Sequence, residues 1–357
     1  MKILFISHSY PPIVGGVETQ NFELSYWLAK IANVKIIANR RGKKFLPIFM
    51  LFALLKSIIL LKKYDVVLLG SGLLAHMGWI LKIIYNKPVM CIVHGLDITY
   101  TNVFYQFFWI HFLTKLDKIV AVGNETAKVA VNKGIRSDRV IFIPNGINIH
   151  KYFVDCSQDD LEKIIHLNLN CRHILLTSGR LVKRKGVAWF ISNVMPVLPD
   201  NIIYVVSGSG PDKNKIEKEV QKKKLFNRVI LIGYVTDEVR NILFHTCDLF
   251  IQPNIKVPGD IEGFGISVIE AAFCRIPVIV SKLEGLQDAI KDRVNGFLVE
   301  PNNIEAWATK ILEVLAIPNF RENLGEKSRQ FIIDNYRWEK IAQIYLKEIE
   351  KMVSQMH

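Results

Sequence analysis

The stretch Asp260–Glu270 combines two carboxylates with two closely spaced glycines, directly ahead of an apolar segment. Gly263 and Gly265 suit a tight turn in which the backbone comes close to a ligand. The apolar segment Ile266–Phe273 predicts a helix whose first amides and positive dipole end point outward. A helix start of this kind is a binding site for an anion such as a phosphate.

The two carboxylates flank this predicted anion site. Glu262 precedes the turn, and Glu270 lies four residues beyond Ile266, roughly 6 Å along the helix axis. A carboxylate only accepts hydrogen bonds, so it can take both hydroxyls of a diol. The pattern therefore predicts a diphosphate at the amides, with a polyhydroxylated group at each acid. The alternative is structural: Glu262 stabilises the helix start and Glu270 is solvated.

Short apolar strands alternate with helical segments along the chain, which is the pattern of a doubly wound α/β fold. The strands predicted in the first half are Ile3–Ile6, Val34–Ala38, Val66–Leu69, Val89–Val93, Ile119–Val122 and Val140–Ile143. Those predicted in the second half are Ile174–Thr177, Ile202–Val206, Val229–Ile232, Asp248–Ile251 and Pro277–Val280. The polar stretch Cys156–Glu162 is interpreted as the linker between two domains of ordinary size.

Other candidate site residues follow predicted strands, where sheets of this kind bind ligands. Gly15 and Gly16 follow the first strand and allow close approach to a phosphate or sugar, or form a simple turn, since the third glycine of GxGxxG is missing. His94 can donate to a substrate hydroxyl or stabilise a loop. Arg180 and Lys185 would bind a diphosphate and offset charge on a leaving group, unless they form a solvated basic turn.

The chain has 357 residues, half of them apolar, and a formal net charge of +13. Its basic clusters are dispersed and accompany no nucleic-acid motif, so we expect no nucleic-acid partner. The surplus of positive charge is consistent with solvated helix faces, an anionic ligand or an anionic membrane. The five cysteines show no metal-ligand spacing, which predicts reduced thiols, no metal site and a cytoplasmic protein. The apolar start is too short for a signal peptide.

The segment Lys43–Lys63 is unusual because only Lys56 and Ser57 are polar between Phe45 and Leu61. One interpretation is a buried helix of the first α/β domain. The other is a helix in a membrane interface, with its lysines toward anionic head groups. A full membrane span is disfavoured by its length and by Lys56.

Together these motifs resemble the retaining glycosyltransferases of group 1, also called family GT4. The strongest marker is Glu262-x7-Glu270 in the context Glu-Gly-Phe-Gly, supported by Gly15-Gly16, His94, Asn145-Gly146 and the pair Arg180/Lys185. The resemblance implies an α/β fold of the GT-B type, two Rossmann-like doubly wound domains facing across a cleft. The implied domains are an acceptor-side domain 1–155, a nucleotide-sugar domain 165–335, and a helix in 336–357 that crosses back to the first.

The resemblance also implies a role for each matched residue. Glu270 would hold the ribose hydroxyls of a nucleotide sugar, and Glu262 the hydroxyls of the donor sugar. The turn at Gly263, with the amides of Phe264, Gly265, Ile266 and Ser267, would hold the diphosphate together with Arg180 and Lys185. His94 would touch the sugar near the reacting carbon, and Gly16 would let the first domain close on the donor.

The activity that the resemblance implies is metal-independent transfer of a sugar, with retention, from a nucleotide-diphosphate sugar (UDP by default) to a glycan or lipid-linked acceptor. The basic, apolar first domain favours surface polysaccharide or glycolipid synthesis at the inner face of the cell membrane. Three alternatives remain open: a GT-B nucleotide-sugar epimerase, a nicotinamide dehydrogenase, and a non-catalytic sugar- or lipid-binding protein. The missing GxGxxG argues against the dehydrogenase.

Overall fold

The structure is a computed structural model that describes residues 1–100, 102–152, 154–169, 171–316 and 318–355, without the side chains of 103–105, 318, 320 and 321. The chain divides into two units. Unit 1 comprises Met1–Asn148, Gly259–Phe264 and Tyr336–His357, and unit 2 comprises Ile149–Pro258 and Gly265–Asn335. The short segment Gly259–Phe264 therefore belongs to unit 1, although the chain on both sides of it belongs to unit 2.

Unit 1 is built on a parallel six-stranded sheet in the order β2-β1-β3-β4-β5-β6. Its strands are β1 (Lys2–Ser7), β2 (Asn33–Ala38), β3 (Val66–Leu69), β4 (Val89–Val93), β5 (Lys118–Ala121) and β6 (Val140–Phe142). Its helices are α1 (Gly16–Ile31), α2 (Leu46–Leu60), α3 (Ala75–Tyr85), α4 (Leu96–Thr99), α5 (Val103–Thr114), α6 (Asn124–Asn132) and the last helix of the chain, α15 (Trp338–Ser354). The central strands are continuous apolar runs because helices cover both faces of the sheet.

The two faces of this sheet carry different helices. α2, α3 and α5 pack on one face, where side chains such as Leu4, Ile6 and Leu69 form the core. α1 and α15 pack on the other face, against Ile3, Phe5 and their neighbours. The last helix of the chain thus completes the core of the first sheet.

Only glycine fits at position 146, where the start of α15 packs against the chain. A Cβ atom at this position would come within 2.5 Å of the Trp338 ring. The backbone around it pairs with the start of α15: Ile147 N–H donates to Tyr336 O (2.7 Å) and Trp338 N–H donates to Ile147 O (3.3 Å). The Asn-Gly motif therefore has a packing role in this fold.

Unit 2 is built on a second parallel six-stranded sheet, in the order β12-β11-β10-β7-β8-β9. Its strands are β7 (His173–Ser178), β8 (Ile202–Ser207), β9 (Val229–Gly233), β10 (Leu249–Gln252), β11 (Val278–Ser281) and β12 (Phe297–Val299). Its helices are α7 (Gln158–Ile165), α8 (Val187–Asn193), α9 (Lys213–Lys222), α10 (Asp237–Thr246), α11 (Ile266–Phe273), α12 (Leu286–Ala289), α13 (Ile304–Ala316) and α14 (Pro318–Tyr336). Trp307 and Phe190 are among its largest fully buried side chains.

Each sheet has a point where the strand order reverses direction. In unit 1 it lies between β1 and β3, and in unit 2 between β10 and β7. Ligands of doubly wound sheets bind outside the carboxyl ends of the strands at such points. The loops that follow β1, β3, β7 and β10 are therefore the expected positions of a functional site.

The structure confirms the predicted doubly wound α/β class and the helix Ile266–Phe273, and every predicted strand is present within one or two residues. One interpretation was wrong, and one strand was not predicted. The segment Cys156–Glu162, interpreted as a linker, contains most of α7, whose start is stabilised because Asp160 Oδ2 accepts from the Ser157 N–H (2.9 Å) and hydroxyl (3.0 Å). The edge strand β12 was not predicted.

The segment Lys43–Lys63 is helical and packs on the first sheet, but most of its residues are not buried. Its central helix α2 is held on the sheet by Phe49, Ala53 and Ser57, which are buried. Only 22% of the most apolar window is buried, and by length and composition this helical stretch could cross a membrane. The expectation of a buried helix is therefore correct for one narrow face of α2 only.

Candidate active site

Gly265 opens helix α11 in the left-handed conformation, with φ 91° and ψ 57°. A side chain here would be strained, and its Cβ would come within 2.7 Å of Leu286 Cδ2. The first hydrogen bonds of the helix run to Gly265 O from Val268 N–H (3.0 Å) and Ile269 N–H (3.4 Å). The amides of Ile266 and Ser267 precede those bonds at the positive end of the helix, which is an arrangement suited to an anion.

The loop after β7 carries the two predicted cations. Arg180 is exposed directly after the strand, whereas Lys185 is only 8% exposed at the end of the 3₁₀ turn Lys183–Lys185. Gly186 follows in the left-handed conformation (φ 68°), and a side chain there would also collide with Pro253 O. A lysine so nearly buried is not part of a solvated basic turn, so this alternative fails at Lys185.

The loops after β7 and β10 are joined to each other and to α11. Ile255 N–H donates to Arg184 O at 2.9 Å. The Ser267 hydroxyl donates to Gln252 Oε1 at 3.1 Å, and Gln252 is fully buried. Hydrogen bonds thus connect the lysine-bearing turn, the end of β10 and the start of α11 within unit 2.

Glu270 lies one turn into α11 in a polar network that the sequence did not predict. The Tyr152 hydroxyl, on a side chain only 5% exposed, donates to Glu270 Oε1 at 2.6 Å. Burial raises the pKa of Glu270, and the positive charge of Arg240 and the Tyr152 hydroxyl lower it in part. Glu270 is therefore an oriented, partly buried acceptor, which contradicts the structural alternative of a solvated side chain.

The first loop of unit 1 joins β1 to α1 and carries the glycine pair. The Ser9 hydroxyl donates to Glu18 Oε1, and a Cβ at Gly15 would collide with the same carboxylate. A side chain at position 15 would therefore displace the Glu18 carboxylate. Gly16 begins α1, one residue after it.

The loop after β3 contacts this first loop. The Ser71 hydroxyl, after β3, lies 2.8 Å from His8 Nδ1 in the loop after β1. Burial lowers the pKa of His8, with Asp97 opposing the shift, so the neutral ring is favoured. The loops on either side of the first switch point are therefore joined by a side-chain hydrogen bond.

His94 is half-buried and fixed at the end of β4. Its Nε2 lies 3.0 Å from Gly70 O, and because a carbonyl only accepts, Nε2 carries the proton. Asp97 orders the same region by accepting from the backbone N–H of His94 (2.7 Å) and of Gly72 (2.9 Å). His94 is thus a held side chain whose Nδ1 is the remaining acceptor.

The segment Gly259–Phe264 places Glu262 in unit 1 with His94. Thr99 Oγ1 donates to Gly259 O at 2.9 Å, and a Cβ at Gly263 would come within 2.7 Å of His94 O. Glu262 itself is only 7% exposed. Phe264, also buried, packs edge-on against the ring of Tyr336 with ring centroids 5.4 Å apart.

The predicted site residues therefore form two groups. Unit 1 holds Gly15, Gly16, His94, Glu262, Gly263 and Phe264, and unit 2 holds Arg180, Lys185, Gly265, Ile266, Ser267 and Glu270. The Glu-x7-Glu motif is divided between the units, directly after Phe264. Among the described residues, no cluster of three or more histidine, cysteine, aspartate or glutamate side chains is arranged to hold a metal ion.

Sequence reasoning missed Tyr152, Arg240 and Asp97. Tyr152 is 118 positions from Glu270, so no local pattern connects the two. Asp97 was closer to prediction, because it lies three residues after His94, the spacing at which an aspartate accepts from a preceding backbone amide.

Comparison with known proteins agrees with the two units. The profile of the family described as "Glycosyl transferases group 1" matches residues 160–331, and that of "Glycosyltransferase Family 4" matches residues 14–151. The chain is 26% identical over 321 residues to the capsular polysaccharide biosynthesis glycosyltransferase CapM of Staphylococcus aureus, covering 84% of this chain and 82% of the relative.

Two further similarities are informative. The chain is 25% identical over 313 residues to the Escherichia coli UDP-Gal:alpha-D-GlcNAc-diphosphoundecaprenol alpha-1,3-galactosyltransferase, covering 83% and 78% of the two chains. Its fold matches crystalline Anabaena HepE, solved in complex with UDP and glucose, with a TM-score of 0.80, 18% identity, and 98% and 100% coverage. The fold is that of the GT-B enzymes, and the chain belongs to the group 1 (family 4) glycosyltransferases, as a hexosyltransferase-type enzyme.

Proposed function

We propose that the protein transfers a sugar with retention from a nucleotide-diphosphate sugar, UDP-linked by preference, to a lipid-linked or other glycan acceptor. The observation that carries this proposal is the arrangement at the second switch point. There, the nearly buried Lys185, the glycine-opened start of α11 and the oriented Glu270 lie on loops and a helix joined by hydrogen bonds. A cation, unpaired amides and a diol acceptor are the groups that a ribose diphosphate requires.

In the donor site we assign the ribose hydroxyls to Glu270. The diphosphate is assigned to the amides from Phe264 to Ser267, with Arg180 and Lys185. These cations and the helix dipole stabilise the charge that develops on the leaving diphosphate, the task that a divalent ion performs in other transferases. The proposed reaction therefore requires no added metal.

In the reaction we assign the hydroxyls of the transferred sugar to Glu262 and the region near its reacting carbon to His94. The bond between the anomeric carbon and the diphosphate oxygen breaks, and the acceptor oxygen attacks the same face. The departing diphosphate oxygen takes the proton of the acceptor hydroxyl, so charge and atoms balance. No covalent intermediate on the protein is needed.

The relatives support the proposed acceptor class and location. One relative is named for a sugar carried on diphosphoundecaprenol and another for capsular polysaccharide biosynthesis. A lipid-linked acceptor lies at a membrane surface, so we place the protein in the cytoplasm, at the inner face of the cell membrane. An epimerase would release the nucleotide and form no glycoside, and product analysis distinguishes the two activities.

Calorimetric titration of the purified protein with UDP, GDP, ADP and NAD in the presence of EDTA tests this donor site. We expect UDP to bind and NAD not to bind. Binding of NAD alone, or of UDP only after Mg²⁺ is restored, would contradict the proposed site or its metal independence.

The affinity for UDP is also expected to depend on the ionisation of Glu270. Ribose hydroxyls donate to the charged carboxylate and lower its pKa in the complex. UDP affinity is then full above the raised pKa of the free protein and falls as the pH is lowered through it. Because burial raises that pKa above the ordinary 4.5, the fall begins at a higher pH than for an ordinary glutamate.

The variant Tyr152→Phe tests this pH dependence directly. It keeps the ring that packs against Phe273 but removes the hydroxyl that lowers the pKa of Glu270. We expect the acid limb of the binding profile, the pH range over which UDP affinity falls, to move to higher pH. The affinity at pH values well above this range should change little. Tyr26→Phe, on α1, is the matched control. An acid limb at the same pH in wild type and Tyr152→Phe would disprove the role of the hydroxyl.

A further inference from the structure

Helix α2 exposes a row of large apolar side chains to solvent. Five of its large apolar side chains are between 52% and 76% exposed: Ile48, Leu51, Phe52, Leu55 and Ile59. At about 100° per residue they fall on one stripe within roughly 60° of its centre. The residues that hold α2 on the sheet, Phe49, Ala53 and Ser57, lie on the opposite side. A surface helix normally shows the reverse pattern, with polar groups outward.

The neighbouring helix α3 also exposes large apolar side chains. The Tyr85 hydroxyl, at the end of α3, donates to Ile58 O of α2 at 2.6 Å. Beside it, Ile83 and Ile84 are 63% and 49% exposed. We call the stripe of five on α2, with Ile83 and Ile84, the apolar face. A row of exposed apolar side chains such as the stripe on α2 marks an interaction site.

Positive charges flank the helical segment that carries the stripe on α2. Asp117 pairs with Lys82 at 2.6 Å. Before it, from Leu24 to Leu116, the sequence has 12 lysines and arginines and two acids, Asp65 and Asp97. Both acids accept hydrogen bonds from backbone amides. Exposed lysine pairs stand at the two ends of the helical segment, Lys43–Lys44 and Lys62–Lys63. The two ends of the helical segment are therefore positively charged.

Apolar side chains flanked by lysines match the interface of an anionic bilayer, with an acyl region below a layer of phosphates. A second copy of this chain fits poorly, because it would bring two positive surfaces together. A membrane span would require α2 to leave the sheet and to expose the core that Phe49 and Ala53 complete. The charge and the packing both favour a helix that lies in the interface.

We propose that the apolar face docks unit 1 onto an anionic lipid bilayer, with its side chains at the headgroup–acyl boundary and the flanking lysines at the lipid phosphates. This surface lies on the helical layer of the first sheet and is separate from the donor-site residues. The proposal holds whichever sugar is transferred.

Flotation of the full-length protein with vesicles tests the proposal. At low salt we expect binding to vesicles of phosphatidylcholine with phosphatidylglycerol and little binding to phosphatidylcholine alone. Replacing Leu51, Leu55 and Ile59 together with glutamine, or Lys62 and Lys63 with glutamine, should each weaken binding by about tenfold or more. UDP binding measured in solution should remain as in the wild type for both variants.

Matched controls lie on unit 2. Phe226→Gln removes a side chain that is 61% exposed, and Lys222→Gln with Lys223→Gln removes an exposed lysine pair near the end of α9. Both should bind vesicles like the wild type. Equal weakening by the controls, or no wild-type binding to anionic vesicles, would overturn the proposal. So would a concentration-dependent dimer that the glutamine variants of α2 abolish, since a second copy would then cover the apolar face.

Discussion

Replacing Lys185 with alanine is expected to lower the turnover of sugar transfer by about 10²–10³-fold, the range found when one preorganised charge-stabilising donor is removed. Lys185 is held almost buried at the end of a tight turn, so its ammonium is positioned before the donor binds. Its proposed partner is the leaving diphosphate, whose charge grows in the transition state. The variant should therefore have a lower kcat as well as a higher KM.

The matched control is Lys183→Ala, in the same turn but exposed. It should retain near-normal turnover, because a solvated lysine contributes little to a distant charge. Lys185→Met, which preserves most of the buried volume, separates charge from packing. Near-normal turnover in folded Lys185→Met would contradict the role of the ammonium, and an equal loss in Lys183→Ala would point to a general effect of the turn.

Replacing Glu262 with glutamine is expected to lower kcat/KM by about 10²-fold while the affinity for UDP itself changes little. Glutamine fills the same volume but replaces one acceptor oxygen with a donor, which cannot accept from a sugar hydroxyl. UDP lacks the transferred sugar, so it does not use this contact. Steady-state kinetics with the UDP-sugar and calorimetry with UDP measure the two quantities separately.

Glu305→Gln, an exposed acid at the start of α13, provides the control for a change of charge alone. The melting temperature of Glu262→Gln establishes whether the buried turn still folds. If the variant folds and transfers sugar at the wild-type rate, Glu262 does not contact the sugar. A parallel loss of UDP affinity would instead assign it to the nucleotide.

The fold was predictable because its signals are local. Continuous apolar runs such as Val66–Leu69 and Val89–Val93 identify buried parallel strands, and both were predicted to the residue. The linker interpretation of Cys156–Glu162 failed for a local reason as well. Its polar composition concealed a helix start, Ser157 with Asp160 three residues later, which is a recognisable capping pattern.

The surroundings of the candidate site were less predictable because they depend on contacts between distant segments. Glu270 was identified by its spacing from Glu262, but its partner Tyr152 lies 118 positions away in the sequence. Gly146 was recognised as a motif, and only the structure shows that the Trp338 ring requires it. Composition correctly marked the segment Lys43–Lys63 as unusual, but which face of α2 is exposed depends on how the helix packs.

The measurement that tests the central claim most directly is analysis of the reaction product. The purified protein would be incubated with EDTA, an isotopically labelled α-linked UDP-sugar and polyprenyl-diphosphate-linked glycan acceptors, and the new linkage would be assigned by NMR. We predict release of UDP together with an α-glycoside, in equal amounts. A β-linked product would contradict retention, and UDP accompanied only by a free, epimerised sugar would show that the enzyme is not a transferase.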